Sequence, residues 1–188
     1  MKCMKDRLKP NLIEKAIRIA ASAHFNQTRK ADGMLYITHP IAVALKLAKQ
    51  GFSDTVIAAA LVHDVLEDTD YSADKLKKEL GNEVFKIVKA VTNDKSLEWE
   101  DKKIKYIEIV RNGTEEAKAV AVADKIHNIE SLMIVHAKDG PKIWKRFNRG
   151  KEKKIWFEKN FLEMIKETWK HPLVEEYEKL IRKEEELK

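Results

Sequence analysis

Ionisable residues interrupt one of the most apolar segments of this 188-residue chain. Residues 58–62 are small and apolar, His63 and Asp64 follow them directly, and Glu67 and Asp68 come one helical turn later. An uncompensated charge in a protein interior costs several kcal/mol, on the order of the whole stability margin of a domain. The fold must therefore bring compensating groups to this segment, and a metal ion is the obvious candidate.

Apolar residues recur with helical spacing throughout the chain, and no alternating pattern of useful length indicates a strand. The chain has only six glycines and four prolines, and its hydrophobic content of 44% is enough for a substantial core. The sequence therefore predicts an all-α helical bundle with its metal site between central helices. We expect one domain over residues 1–188, with a core over about 10–140 and C-terminal helices over about 141–188.

The helix that carries the histidine and aspartate is expected to begin at Ser53 or Asp54 and to end near Asp68 without interruption. At about 100° per residue, its four ionisable side chains would share roughly 140° of arc and point into one cavity. His63 and Asp64 would then bind neighbouring positions of a single ion.

Other helix boundaries follow from turn residues. A turn at Gly33 is expected to precede a helix that begins at Pro40 and stops at Gly51. Residues 175–188 are rich in Glu and Lys, which predicts an exposed helix that frays at its end.

Neither a membrane span nor a secretory signal is recognisable in the sequence, since no run approaches roughly 18 apolar residues and the N-terminus is polar. We therefore expect a cytoplasmic protein without a membrane partner. The single cysteine, Cys3, fits a reducing compartment and indicates that any metal is bound by nitrogen and oxygen. The sequence leaves open whether the chain forms an oligomer.

The formal net charge of +6 is concentrated between Lys142 and Lys154, where seven Lys and Arg residues face one Glu. We interpret this basic segment as a solvated helix surface, although nucleic acid or an anionic nucleotide could also be attracted to it. Nucleic acid is the less favoured partner, because the aromatic residues of the segment have the helical spacing of core residues. These aromatic residues are Trp144, Phe147, Trp156 and Phe157.

Two further metal ligands are available in His39, which precedes Pro40, and in Asp124, which ends a second run of small apolar residues. With His63 and Asp64 they give two imidazoles and two carboxylates, a set compatible with Mn²⁺, Fe²⁺ or Zn²⁺. Glu67 would lie near the ion without binding it, as suits a general base acting on water.

Each of these residues also has a purely structural interpretation. His24 could be a hydrogen-bonded core histidine, since buried polar groups usually have partners. Asp124 could pair with a lysine, Asp68 could simply end its helix, and His127 and His136 could lie on a helix surface. Only the coincidence of several such residues favours a site.

Three phrases follow one another along the sequence: AHFNQTRKADGMLYITHPIAVALKL, AALVHDVLEDT and AVADKIHNIESL. In these phrases the chain resembles the HD-domain hydrolases of the RelA/SpoT superfamily, and above all their small stand-alone members, the small alarmone hydrolases. The likeness extends from about residue 12 to about residue 135. It implies a single HD-domain fold that hydrolyses the 3′-pyrophosphate of (p)ppGpp to GDP or GTP and pyrophosphate.

The resemblance also implies roles for individual residues. Four residues match the ligands of an ion that is usually Mn²⁺: His39, His63, Asp64 and Asp124. Glu67 and Asp68 match the acidic pair that activates or orients the attacking water. Arg29 and Lys30 match a basic pair beside the nucleotide, and Asn128 matches a nucleotide-contacting position. Ser131 stands where relatives often have threonine.

A guanosine polyphosphate is strongly anionic and needs cationic walls, which Lys102 and Lys103 could supply together with Lys125 and Arg146. Tyr106 follows one turn later and could share their face, or could be a half-buried helix tyrosine.

Two positions depart from the family pattern. Residues 91–94 read VTND where long bifunctional relatives have VTK, and Glu130 stands where a basic residue is common. These changes leave the metal site alone and concern the surroundings of the substrate. The alternatives are therefore an HD phosphohydrolase acting on another nucleotide, such as a 5′-nucleotidase, and a non-catalytic nucleic-acid binder.

Overall fold

The computed structural model describes residues 10–29 and 32–188, which are mainly α-helical and which confirm the predicted all-α fold. A 3-10 helix spans Gly140–Arg146. Among the described residues, the only strand-like pairing is an isolated antiparallel bridge between Thr28 and Leu35. The α-helices are α1 (Leu12–Ala23), α2 (Thr38–Lys49), α3 (Asp54–Leu61), α4 (Val65–Asp68), α5 (Ala73–Leu80), α6 (Asn82–Val91), α7 (Trp99–Arg111), α8 (Glu115–Asp139), α9 (Gly150–Thr168) and α10 (Pro172–Glu186).

Helix α8 is the central element of the bundle. It begins where the side chain of Thr114 accepts a hydrogen bond from the Ala117 amide, and it continues for 25 residues. It packs against α2, α3, α6 and α10. Residues 58–60 of α3 and 117–123 of α8 are almost all alanine or valine and are buried. Small side chains allow these backbones to approach closely, so residues at the ends of both runs come together.

The predicted uninterrupted helix through His63 and Asp64 is wrong. Helix α3 ends at Leu61, residues 62–64 form a turn, and α4 begins at Val65. Two hydrogen bonds, each between residues three positions apart, close the turn. The Val62 amide donates to the Ala59 carbonyl oxygen, and the Val65 amide donates to the Val62 carbonyl oxygen. The convergence of the ionisable side chains therefore comes from this turn and not from a shared helical face.

Helix α2 follows the prediction closely. It begins at Thr38, two residues before the expected Pro40, because proline is tolerated in the first turn of a helix. Gly51 follows its end with a φ of 78°, and the expected turn residue Gly33 has a φ of 73°.

The prediction that residues 175–188 form an exposed helix is wrong for one face of that helix, whereas fraying at its end stays a prediction. Helix α10 packs against α8 and α9. Leu173, Tyr177 and Ile181 recur every four residues, and their side chains are buried together with that of Glu184. The high content of Glu and Lys conceals this apolar stripe.

The aromatic residues in and just after the basic segment pack against apolar clusters, where Phe157 is buried and the other three are half-buried. Trp144 and Phe147 contact a small cluster around Ile143. Phe157 belongs to the main core, against which Trp156 packs.

None of the helices in residues 10–29 and 32–188 has the length and apolar character required to cross a bilayer. Cys3, on which the expectation about redox compartment rests, lies outside the described residues.

Candidate active site

A cavity of about 740 Å³ opens between the α3–α4 turn, α8 and the start of α9. Its floor is formed by the histidines and carboxylates of the motifs. The cavity is also lined by residues of α7 and of the basic segment, among them Lys103 and Arg146, which were expected to supply cationic walls. The ionisable and aromatic lining residues include Arg29, Tyr36, His39, His63, Asp64, Glu67, Asp68, Trp99, Lys103, Tyr106, Asp124, Lys125, Arg146, Phe147, Arg149, Lys154, Phe157 and Glu158.

The structure brings the four predicted metal ligands together. Donor atoms of His39, His63 and Asp124 all lie within 4.8 Å of one another. The Nε2 atom of His39 is 3.0 Å from Asp124 Oδ1 and 3.5 Å from Asp64 Oδ2. The Nε2 atom of His63 is 3.2 Å from the same Asp64 oxygen. Two imidazole nitrogens and two carboxylate oxygens therefore face one small volume.

The tautomer of His63 is set by the backbone. Its Nδ1 lies 2.7 Å from the carbonyl oxygen of Ala60, which can only accept, so Nδ1 carries the proton. Its Nε2 is buried and has no hydrogen-bond partner among the described residues. A buried, unpartnered nitrogen lone pair directed at two carboxylates fits a metal ligand, because a cation would satisfy all three groups.

His39 contacts another histidine, His127, which the sequence did not distinguish from a surface residue. Their Nδ1 atoms lie 2.7 Å apart. Burial and the neighbouring His39 and Arg29 lower the pKa of His127 to about 4, so His127 is neutral and can accept a hydrogen bond. With a cation at Nε2, His39 would carry its proton on Nδ1 and donate it to His127.

Both carboxylates of the floor are ionised at neutral pH. Burial alone would raise the pKa of Asp124, but Lys125 and the two histidines outweigh it and hold that pKa well below its usual range. Burial is likewise outweighed at Asp64, whose pKa is lowered by His63 and His39. Two ionised carboxylates that converge with two imidazole nitrogens form a site for a divalent cation.

Asp124 is held from two further sides. Lys125 forms an ion pair with its Oδ2, and the side-chain amide of Asn128 donates to its Oδ1 over 2.6 Å. The structural alternative, in which Asp124 pairs with a lysine, is therefore true of one carboxylate oxygen, whereas the other faces the histidines.

Tyr36 connects Asp64 with Asp68. Its hydroxyl lies 2.7 Å from Asp64 Oδ2 and 2.9 Å from Asp68 Oδ2, so one O–H group is shared by both carboxylates. The Tyr36 ring stacks on His24 with 4.6 Å between centroids. His24 contacts Gln27, whose side chain donates to the Asp68 carbonyl oxygen over 2.7 Å. The structural interpretation of His24 is thus supported, and its core position supports the site indirectly.

Glu67 lies at the edge of the cavity, and its Oε2 accepts hydrogen bonds from Asn93. Neither Tyr36 nor Asn93 was a predicted site residue. The only sequence signal was that Tyr36 lies within a phrase of the family resemblance and Asn93 within a departure from it.

The predicted nucleotide contacts are only partly brought together. Arg29 lines the cavity, and its guanidinium donates to the Oδ1 of Asn128 over 3.1 Å. Lys30 lies outside the described residues. Ser131 is buried and Lys102 is half-buried, and neither contributes to the cavity lining, in contrast to the prediction. Lys102 does not line the cavity, because the neighbouring Lys103 occupies the side of α7 that faces it.

Lys103 and Tyr106 both line the cavity, one helical turn apart. Burial and the nearby Lys125 lower the pKa of Lys103 to about 8. Its ammonium lies 4.5 Å from the ring centroid of Phe157, while that of Lys125 lies 5.0 Å from the Tyr106 ring. Tyr106 is fully buried and not half-buried, and its ring supports a cation next to the metal site.

The basic segment divides between solvent and cavity. Arg146, Arg149 and Lys154 line the cavity. Lys154 is half-buried and pairs with Glu158 and Glu184, so the interpretation as a solvated surface is wrong for it, whereas Arg146 and Arg149 are exposed. The aromatic residues Phe147 and Phe157 line the same cavity. The departure at Glu130 is explained by an ion pair with Lys46, which also pairs with Glu176 and so connects α2, α8 and α10.

Comparison with known proteins agrees with this architecture. The model of the HD domain family matches residues 16–149. The guanosine-3′,5′-bis(diphosphate) 3′-pyrophosphohydrolase MESH1 of Danio rerio is 40% identical over 119 residues, covering 62% of this chain and 66% of that protein. A guanosine-3′,5′-bis(diphosphate) 3′-pyrophosphohydrolase of Aquifex aeolicus is 32% identical over 176 residues, which are 89% of this chain but only 25% of that protein.

Two solved structures share the fold. One is a metazoan ortholog of SpoT that hydrolyses ppGpp, with a TM-score of 0.78 and 26% identity over 94% of this chain and 97% of that one. The other comes from Listeria monocytogenes, with a TM-score of 0.72 and 32% identity over 79% of this chain and 96% of that one. The chain belongs to the HD-domain family, and its expected resemblance to the small alarmone hydrolases is confirmed.

Proposed function

We propose that this protein hydrolyses the 3′-pyrophosphate of (p)ppGpp, releasing pyrophosphate and leaving GDP or GTP. The observation that carries the proposal is the cavity itself. The donor atoms of two histidines and two aspartates converge in it, and its walls also carry Lys103, Arg146 and Arg149. A nucleotide with one anionic group at the converging donors would have a second anionic group attracted by these cations. The relatives from Danio rerio and Aquifex aeolicus are guanosine-3′,5′-bis(diphosphate) 3′-pyrophosphohydrolases, which points to the same substrate.

We propose that His39, His63, Asp64 and Asp124 hold a divalent ion, and that this ion is Mn²⁺. Support comes from the buried, unpartnered Nε2 of His63 and from the mixture of imidazole and carboxylate donors. When bound, such an ion supplies Lewis acidity, which makes water a better nucleophile and offsets charge on a phosphate oxygen.

Residues of the chain would carry out the proton transfers of the reaction. Cleavage breaks the bond between the 3′-oxygen of the ribose and its phosphorus, so water must lose a proton and the 3′-oxygen must gain one. Glu67 is assigned as the group that takes the proton from water and returns it to the 3′-oxygen. Asp68 is assigned to orient the water, since its Oδ2 is fixed by the Tyr36 hydroxyl over 2.9 Å.

Substrate binding is assigned to Arg29 and to the cationic side chains of the cavity wall. Arg29 is anchored on Asn128 through one terminal nitrogen, while its buried Nε has no partner among the described residues. A buried guanidinium donor without an acceptor is suited to a phosphate oxygen. Lys103, Lys125 and Arg149 would balance the remaining negative charge of the nucleotide.

We also propose that residues 1–188 act as one cytoplasmic domain. The main hydrophobic core extends continuously from Ala16 in α1 to Ile181 in α10, which supports the inclusion of the C-terminal helices. The oligomeric state plays no part in the assignment, because every proposed ligand comes from one chain.

Product analysis tests the proposal. The Mn²⁺-loaded protein is incubated with ppGpp, and in parallel with a panel of nucleoside monophosphates and with a chelator. We expect chelator-sensitive release of pyrophosphate with formation of GDP. Release of orthophosphate from a monophosphate, with ppGpp intact, would assign the protein to the nucleotidases instead.

A further inference from the structure

Asn93 makes two hydrogen bonds to the same carboxylate oxygen. It lies in the loop between α6 and α7, within the segment that departs from the family pattern. Its backbone amide and its side-chain Nδ2 both donate to Oε2 of Glu67, each over 2.9 Å. The two residues are 26 positions apart in the sequence, so the contact joins α4 to a separate loop.

The orientation of the Asn93 amide follows from this contact. Its Oδ1 is buried and has no hydrogen-bond partner among the described residues. Rotating the amide by 180° would satisfy neither group, because Oδ1 would then oppose the carboxylate oxygen of Glu67. The two hydrogen bonds to Glu67 therefore hold Asn93 in one orientation even though the amide leaves its acceptor unsatisfied.

We propose that Asn93 is a positioning residue that fixes the carboxylate of Glu67 for the attack of water. With Oε2 occupied by two donors, Oε1 is the oxygen that meets the water. The inference rests on the proposed function, because it assumes that Glu67 is the proton acceptor.

Fixing one oxygen matters because a glutamate has three side-chain torsions, and an unrestrained carboxylate is rarely aligned for proton transfer. Asp68, in comparison, shares the Tyr36 hydroxyl with Asp64, and its other oxygen has only an exposed contact with Lys95 at 3.7 Å. Glu67 thus has the more restrictive support of the two acidic residues, as a proton-transfer group requires.

A double-mutant cycle provides the kinetic test. Asn93→Ala removes one of the two donors, and we expect kcat to fall roughly 10-fold with KM and metal content unchanged. In a Glu67→Gln background the same substitution is expected to change kcat less than about 2-fold, because there is no longer a carboxylate to position. Equal fold-losses in the two backgrounds would show a merely structural role and overturn the proposal.

Asn82→Ala is the matched control. Asn82 also donates from its side-chain amide to a glutamate, Glu83, but it does so on an exposed surface outside the cavity. We expect this variant to keep wild-type kcat in both backgrounds.

An NMR measurement separates failure of this inference from failure of the proposed function, since it needs no substrate. The backbone and side-chain amide protons of Asn93 are expected to shift upfield in Glu67→Ala, while those of Asn82 stay unchanged. If wild-type protein released no pyrophosphate but these shifts were seen, the proposed function would fail and the positioning contact would stand. Absence of both shifts would overturn the positioning contact whatever the activity.

Discussion

Two parts of the cavity are built differently. At the metal end, each donor is buried or half-buried and is held by a second group: His63 by a backbone carbonyl, His39 by His127, Asp64 by Tyr36. The cationic wall consists of side chains from α7 and from the basic segment, where Arg146 is exposed and forms an ion pair with Asp139. Hydrogen bonds fix the side chains of the metal end, whereas the cationic wall mainly supplies charge. We therefore expect substitutions at the metal end to affect metal content and kcat, and substitutions in the cationic wall to affect KM.

The largest expected effect tests the separation of roles within the metal end. Asp64→Ala should lower kcat by about 10³-fold or more and reduce the bound metal, because a ligand is lost. Glu67→Ala should retain the metal and lose about 10²- to 10⁴-fold in kcat. Metal analysis of both purified variants and steady-state kinetics check this. Equal metal loss in the two variants would contradict separate roles.

His127 tests whether support of a ligand matters as much as the geometry suggests. His127→Ala removes the acceptor for His39 Nδ1, and we expect the affinity for Mn²⁺ to fall roughly 10- to 100-fold. Calorimetric titration of the metal-free protein measures it. His136→Ala is the control, since His136 contacts the Lys188 carbonyl oxygen outside the cavity and should leave affinity unchanged.

Arg29 tests whether a residue outside the metal end contributes to substrate binding. Arg29→Ala should raise KM about 10-fold with the metal retained, as expected for loss of a charge-assisted hydrogen bond. Arg18→Ala, which removes an exposed guanidinium paired with Glu14, should leave KM unchanged. An unchanged KM in Arg29→Ala would refute its assignment to the nucleotide.

The smallest expected effect is a pH dependence at the cationic wall. Because the pKa of Lys103 is lowered to about 8, its charge is present below that pH and is lost as the pH rises through it. We expect KM for ppGpp to rise a few-fold between about pH 7 and pH 9. Lys103→Arg, which stays charged, should flatten this rise. A pH dependence that persists in the arginine variant would place its origin elsewhere.

Local signals predicted the fold well where the chain itself ends an element. Ser72 caps α5 and Gly81 closes it with a φ of 89°, and such residues act within one turn. The break after Leu61 could not be predicted in this way, because it depends on a buried imidazole that contacts a backbone carbonyl. The burial of α10 was concealed by its charged residues, although the four-residue spacing of Tyr177 and Ile181 indicated it.

In the candidate site, too, local motifs were predictable and tertiary contacts were not. Motifs pointed to the histidines and aspartates that the structure brings together, whereas the supporting residues needed tertiary contacts. Tyr36 is 28 positions from Asp64, and His127 is 88 positions from His39. The wall around Arg149 depends on how α9 folds back towards α7, which periodicity alone does not determine.

The position at which α3 ends affects how easily mutations can disturb the metal ligands. Since the helix stops at Leu61, the Ala60 carbonyl is one of the last in the helix and is free to accept a hydrogen bond from His63 Nδ1. That interaction is made by the main chain, so no single codon change at position 60 deletes the acceptor. The orientation of His39, by contrast, depends on the side chain of His127, and one missense mutation can remove it. His63 therefore keeps its hydrogen-bond partner whatever side chain stands at position 60, whereas His39 loses its partner when His127 is replaced.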